Sequence, residues 1–233
     1  MRGWRAVRLA LVAAVLMLAV GSGGAVGPDL ADLVAAYLRA GAEQAPGAVS
    51  VRAYLEPTRP TAPPTPRPDV SVVLLPYSAQ LEAELDAVKA GLRDSVDAYP
   101  RAVGRVETAR IEYERALVAA GGGALVRSET TDGRGDARLG DLPPGDWLLL
   151  AWREGGHHTR RFKLRDQDAK RYPSVPTNVT YSTVTYWRSR LAVRPGETVE
   201  VTMSDRNEWM TGGRHESGAP TPARRPTAPA KQR

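Results

Sequence analysis

Residues Thr130–Trp152 read TTDGRGDARLGDLPPGDWLLLAW, and their order decides the fold. Asp132, Gly133 and Gly135 supply the side-chain-to-backbone bonds and the positive φ angles that a tight turn needs. Ala137 and Leu139 then alternate with Arg138 and Gly140, the period of a short half-buried strand. Pro143-Pro144-Gly145 reverses the chain into Trp147. From there Trp147, Leu149 and Ala151 share one face of a strand, and Leu148, Leu150 and Trp152 share the other. Both faces are apolar, so this strand must be buried on both sides. A partner sheet can cover one side; the other needs a separate cover.

The pattern T-D-x-x-G-x-x-x-L-x-x-L-P-P-G-x-W-x-L over Thr131–Leu149 resembles the carboxypeptidase regulatory-like domain. The piece LAVRPGETVEVTM, residues 191–203, is similar to the closing strands of the same family. The resemblance covers Val49–Leu75 and Ala124–Met203. It implies a mainly β chain, a transthyretin-like, Ig-like antiparallel β-sandwich. It implies little about function, because sites are grafted onto such folds rather than dictated by them.

An inserted α-helical hairpin departs from the ordinary family pattern, which has a short loop there. Between Ser78 and Ala120 the apolar residues Leu81, Leu85, Val88, Leu92, Val96, Tyr99, Val103, Val106, Tyr113 and Leu117 recur at helical steps. Ser78 is a candidate N-cap, and Gly121-Gly122-Gly123 a stop. A single helix of that length would run roughly 60 Å and strand its end far from the next β-strand. Two arms of about 18 residues each, with Pro100 in the first turn of the second, return the chain to its starting point. The hairpin is thus a candidate cover for the open sheet face.

The rest of the chain divides around this core. Arg2, Arg5 and Arg8 precede an apolar run, Leu9–Val20, and the small residues GSGGAVG; residues 1–25 are read as a secretory signal peptide cut after Ala25. An uncleaved anchor is the alternative, and would be the chain's membrane contact. Residues 26–45 hold a short helix with Leu30, Leu33, Val34, Tyr37 and Leu38 on one side, and residues 46–212 form the sandwich. PTRPTAPPTPRP, residues 57–68, reads as a stiff surface connection. Glu154-Gly155-Gly156-His157 reads as a hairpin turn, residues 205–212 as leaving the sheet, and residues 213–233 as a disordered basic Pro/Ala/Arg tail.

Charge excludes one partner class. The chain carries a formal +6, but the leader holds three arginines without an acid, and residues 214–233 hold five cations and one acid. Those segments account for +7 and leave −1 for the middle, so the folded part has no basic footprint for nucleic acid. There is no cysteine, so the fold relies on its core alone.

Candidate chemistry is sparse, and no cofactor motif is present. Arg134-Gly135-Asp136 spells an adhesion tripeptide, and Asp132, Gly133, Gly135 and Asp136 resemble half of a calcium loop, which Asp141 and Asp146 do not complete at their spacing; both lie where turn geometry already accounts for them. His157, His158 and Glu154 could make a weak surface metal site, although neighbouring side chains on an extended segment point apart. Related transthyretin-like enzymes include intradiol dioxygenases, with two Tyr and two His on iron, and ureide hydrolases, whose closing Tyr-Arg-Gly-Ser is absent here. Tyr186, Trp187 and Trp209 could form an exposed platform for sugar rings or pack a core. The expectation is an exported, non-catalytic module binding a protein partner at the cell envelope through the hairpin or residues 205–212. A carbohydrate-binding module is the alternative, and a small metal enzyme the third reading.

Overall fold

A computed structural model describes residues 30–59, 61–93, 98–161 and 178–215. The expected leader and most of the basic tail lie outside these residues. Two sheets face each other. In the first, β1 (Gly47–Leu55) lies between β5 (Asp136–Leu142), antiparallel to it, and β8 (Thr198–Met203), parallel to it; β2 (Thr65–Pro66) adds a two-residue ladder at the end of β1. The second is wholly antiparallel, in the order β4 (Arg127–Thr130), β3 (Ser71–Pro76), β6 (Gly145–Arg161), β7 (Asn178–Val193), β9 (Met210–His215). The molecule is a mainly β sandwich, with one parallel pair in an otherwise antiparallel scheme.

The register of the second sheet explains why β6 is apolar on both faces. Leu149 pairs with Leu74 and Ala151 with both Val72 and Trp187, and this face meets Val49, Val51 and Ala53 of β1 across the sandwich. Leu148, Leu150 and Trp152 pair with Leu75, Val73 and Ser71, and Trp152 also pairs with Tyr186, on the opposite face. There the cover consists of α2 (Ala79–Ala90) and α3 (Ala98–Ala119), with Leu81, Leu85, Val88, Ala102, Val103 and Val106 all buried. The arms are 12 and 22 residues long rather than equal.

Helix α1 (Leu30–Glu43) closes one end of the sandwich. Tyr37 stands edge-on to Trp147, with ring centroids 5.2 Å apart, and Trp147 donates its indole N–H to the Pro143 carbonyl at 3.0 Å. Gly145 permits this approach, since a Cβ there would lie 2.8 Å from the Tyr37 ring.

Three expectations are corrected. The glycines at 155–156 do not turn the chain: β6 runs on to Arg161 through a bulge between Glu154 and His157, and a Cβ at Gly155 would approach the Thr183 carbonyl at 3.2 Å. Residues 210–215 do not leave the sheet but form β9, paired with β7 from Tyr186 to Tyr181. Gly212 and Gly213 give no alternating pattern because α3 rests directly on their backbone; a Cβ at Gly212 would sit 2.9 Å from Val103 Cγ2. Finally, the strand expected directly after the hairpin starts at Arg127, as β4, after a single 3-10 turn, Gly123–Leu125.

Candidate functional site

Of the two readings open for Tyr186, Trp187 and Trp209, a sugar platform or a packed core, the structure gives no platform. Tyr186 and Trp187 are 1% and 2% exposed, on opposite faces of β7. Trp187 lies in the sandwich, donates its N–H to the Ser204 carbonyl at 2.8 Å, and carries the Arg67 guanidinium 5.4 Å from its ring centroid. Tyr186 lies under the hairpin, where burial holds its hydroxyl well above the ordinary phenol range. Trp209 is half-buried; Arg188 lies 4.7 Å and Lys89 5.7 Å from its ring centroid. Arg188 is in turn held by Asp86 at 2.8 Å, so Trp209 and α2 are tied together.

The other sequence candidates resolve into structure. Asp132 Oδ1 accepts the N–H groups of Arg134 at 2.8 Å and Asp136 at 3.0 Å, and these backbone bonds hold its carboxyl below the usual range. Thr131, buried beside it, donates to the Arg67 carbonyl and accepts the Val70 N–H, both at 3.0 Å. The Arg134-Gly135-Asp136 tripeptide is therefore a turn bolted to the chain around β3, with Asp136 paired to Arg52. His157 and His158 pair with successive residues of β7 and point to opposite faces. Glu154 accepts the Ser182 hydroxyl at 2.6 Å and faces Arg214 at 3.6 Å. Among the described residues, no three His, Cys, Asp or Glu are grouped to hold a metal ion.

What the sequence did not reveal is a cleft of about 1110 Å³ where α1, the start of α2, the end of α3 and the start of β6 meet. Ser78 builds its edge by capping α2, accepting the Leu81 N–H at 3.3 Å. Leu30, Leu33 and Leu81 supply apolar walls, and Ala109 and Ala116, seven residues apart on α3, leave the space open. Three tyrosines line it, and each hydroxyl is already spent within the protein. Tyr37 donates to the Asp146 carbonyl, Tyr77 to Glu82 at 2.7 Å, and Tyr113 to the Pro76 carbonyl at 3.0 Å. Of the rings, Tyr37 is packed against Trp147, while Tyr113 is half-buried at the cleft.

The rim is acidic. Asp146 is paired with Arg190 at 2.6 Å, and the same guanidinium covers the Tyr77 ring at 3.8 Å. Glu84 accepts a neutral amide, Gln80 at 3.2 Å, while Glu112 also lines the cleft. Small alanines at a seven-residue spacing around Glu112-Tyr113 were the available signal, but the cleft needs four separated segments and no single one displays it.

Burial of these tyrosines sets an alkaline limit. Burial pushes Tyr113 up to about 12 and holds Tyr37 and Tyr186 higher still. A phenol whose pKa is raised on folding keeps its full contribution below about pH 10. The folded state then binds more protons than the unfolded chain, and stability falls as pH rises from about 10 through 12. The expected result is a melting temperature that drops steeply above about pH 10, with the tyrosinate absorbance of Tyr37, Tyr113 and Tyr186 rising together with unfolding rather than before it.

No helix among the described residues is long and apolar enough to cross a membrane. No protein-family model matches the sequence, nor does any curated protein. Three solved structures are similar to it at a low level. One, from Pseudomonas aeruginosa and provisionally described as a carbohydrate-binding protein, is 15% identical with a TM-score of 0.37, over 69% of this chain and 89% of that one. The pilus backbone of Streptococcus pneumoniae is 11% identical at a TM-score of 0.27, over 69% and 41%. A minor pilin of Streptococcus agalactiae is 12% identical at 0.24, over 76% and 100%. These likenesses are too slight to carry a function, and the sandwich itself is established by the strand pairing.

Proposed function

We propose that this chain is a non-catalytic interaction module of the cell envelope, built on a carboxypeptidase regulatory-like sandwich, and that its partner surface is the cleft between α1 and the helical hairpin. The leader read in residues 1–25 is what argues for export. The observation that carries the binding role is the chemistry of the cleft. Its three phenol hydroxyls are internally bonded, and its rings, leucines and rim carboxylates face an opening of about 1110 Å³. Such a lining recognises an apolar segment with positive charge beside it. With Tyr186 and Trp187 buried, the glycan reading loses the residues on which it rested.

The test is a displayed library of random peptides screened against the full-length protein. Enriched sequences should combine apolar residues with Arg or Lys. Ala116→Trp fills the cleft from an exposed helix position, and should weaken an enriched peptide by about ten-fold or more, equivalent to some 1.4 kcal/mol. The melting temperature should not move. Peptides that bind wild type and Ala116→Trp equally place the partner surface elsewhere and overturn the proposal.

A further inference from the structure

We infer that the partner enters the cleft with an arginine side chain, and that this arginine takes the place on the Tyr77 ring and the Asp146 carboxylate that Arg190 holds in the free protein; the inference rests on the cleft being a binding site. Glu84, Glu112 and Asp146 line the cleft, and among the described residues no lysine, arginine or histidine does. A guanidinium reaches this lining from β7, where Arg190 lies 3.8 Å from the Tyr77 ring centroid and 2.6 Å from Asp146 Oδ2. The protein thus displays what the place accepts: a planar cation over a phenol ring, with a carboxylate beside it.

The receiving groups are fixed without help from Arg190. Tyr77 donates its hydroxyl to Glu82 at 2.7 Å and its backbone N–H to the Asp146 carbonyl at 2.9 Å, and the same carbonyl accepts the Tyr37 hydroxyl. Arg190 itself is held more loosely than the arginine two residues before it. Arg188 is 14% exposed and is bonded to Asp86 at 2.8 Å and to the Glu82 carbonyl at 3.4 Å. Arg190 and Asp146 are 51% and 47% exposed, and a pair so open to water contributes little net stability. Arg190 therefore leaves at small cost, whereas Arg188 is locked to the hairpin.

An incoming arginine restores every contact that Arg190 gives up, while the segment carrying it buries apolar surface on Leu30, Leu33 and Leu81. Lysine fits less well, because its ammonium is a compact, strongly hydrated charge without a planar face to lay on a ring. Two properties follow. The cleft prefers arginine to lysine, and Arg190 acts as a built-in competitor. A lone cation gains little by exchanging with it, so the site responds to arginine joined to apolar residues.

The test uses the full-length protein, with N-acetylarginine amide and N-acetyllysine amide as probes, titrated and followed by NMR. Arg190→Gln should bind the arginine probe at least about five-fold more tightly than wild type, because a site filled from within loses affinity in proportion to its occupancy. The lysine probe should gain less than about two-fold. Arg190→Lys keeps the charge and should show a smaller gain for arginine in the same direction. Asp146→Asn added to Arg190→Gln should cancel the gain. Arg138→Gln, which removes an exposed charge from the first sheet, should produce none. In wild type, a saturating arginine probe should move the Arg190 Nε–H resonance from the upfield position of a proton above a ring. A resonance that stays in place, equal gains for the two probes, or no gain in Arg190→Gln overturns the inference. Library peptides that Ala116→Trp weakens, and that Arg190→Gln weakens too, would make Arg190 a wall of the cleft and keep the binding site. Peptides indifferent to both substitutions remove the two together.

Discussion

Gly135→Ala is expected to cost about 3–5 kcal/mol, far more than an exposed turn substitution ordinarily does. Two effects add. Gly135 has a φ of +79°, where an L side chain pays about 1–2 kcal/mol. A Cβ on it would also fall 2.2 Å from the Ala53 carbonyl oxygen, which is backbone and cannot rotate away. Relieving the overlap means separating the turn from β1. That sacrifices the bonds Ala53 N–H to Gly135 carbonyl at 2.7 Å and Arg67 N–H to Ala53 carbonyl at 2.9 Å, each worth about 1 kcal/mol. Gly133→Ala is the control, since no atom lies within 4 Å of its Cβ position and its φ is not positive. It should change stability by no more than about 0.5 kcal/mol. Denaturant midpoints at constant slope measure both. Equal midpoints for the two variants would mean that the turn is not fastened to β1.

That contrast also marks how far the sequence could be read. The turn at Asp132–Asp136 and the two-faced strand after Gly145 were legible because each depends on local requirements: a positive φ, a short side chain that bonds its own backbone, and apolar residues at consecutive positions. Burial of Tyr186 and Trp187 was one of two readings the residues left open, and the same reasoning selects it. If β6 is covered on both faces, so is its neighbour β7, and residues of either parity on β7 become interior. Arg188 and Arg190 obscured this, because charged residues two apart suggest a wet face. In fact Arg188 is clamped between the hairpin carboxylates and Trp209, and Arg190 lies on Tyr77. Strand β9 was invisible for the opposite reason. Its Gly212 and Gly213 have no side chains to alternate, and they are tolerated because α3 lies on them. The cleft could not be read at all. It is a negative shape left between four segments, and only its alanines and tyrosines on α3 hint at it.

Leu149→Ala and Leu150→Ala should cost the same, about 2–5 kcal/mol each, and this equality is the decisive statement about the hairpin. The two leucines are neighbours in β6 and are 0% and 1% exposed, but they point to opposite sides. Leu149 pairs with Leu74 on the face that meets β1, while Leu150 pairs with Val73 on the face that α2 and α3 cover. Were the hairpin a loosely attached insertion, Leu150 would spend much of its time in water. Its truncation would then approach a surface substitution, within about 0.5 kcal/mol. The buried residues of the hairpin argue against such looseness. Leu85 is 0% exposed and Val106 1%, so the helices have given up their own apolar surface to the same core. Leu85→Ala should therefore fall in the same range as the two β6 variants. Urea unfolding followed by far-ultraviolet circular dichroism, which reports α1, α2 and α3, and by tryptophan fluorescence of a variant that keeps Trp147 and Trp187 and replaces Trp152 and Trp209 by Phe, should give one coincident transition. A helical signal that melts first, together with a mild Leu150→Ala, would make the hairpin an appendage. A cleft built between α1, α2 and α3 could then not be a preformed binding site, because its walls would not be held in place without a partner.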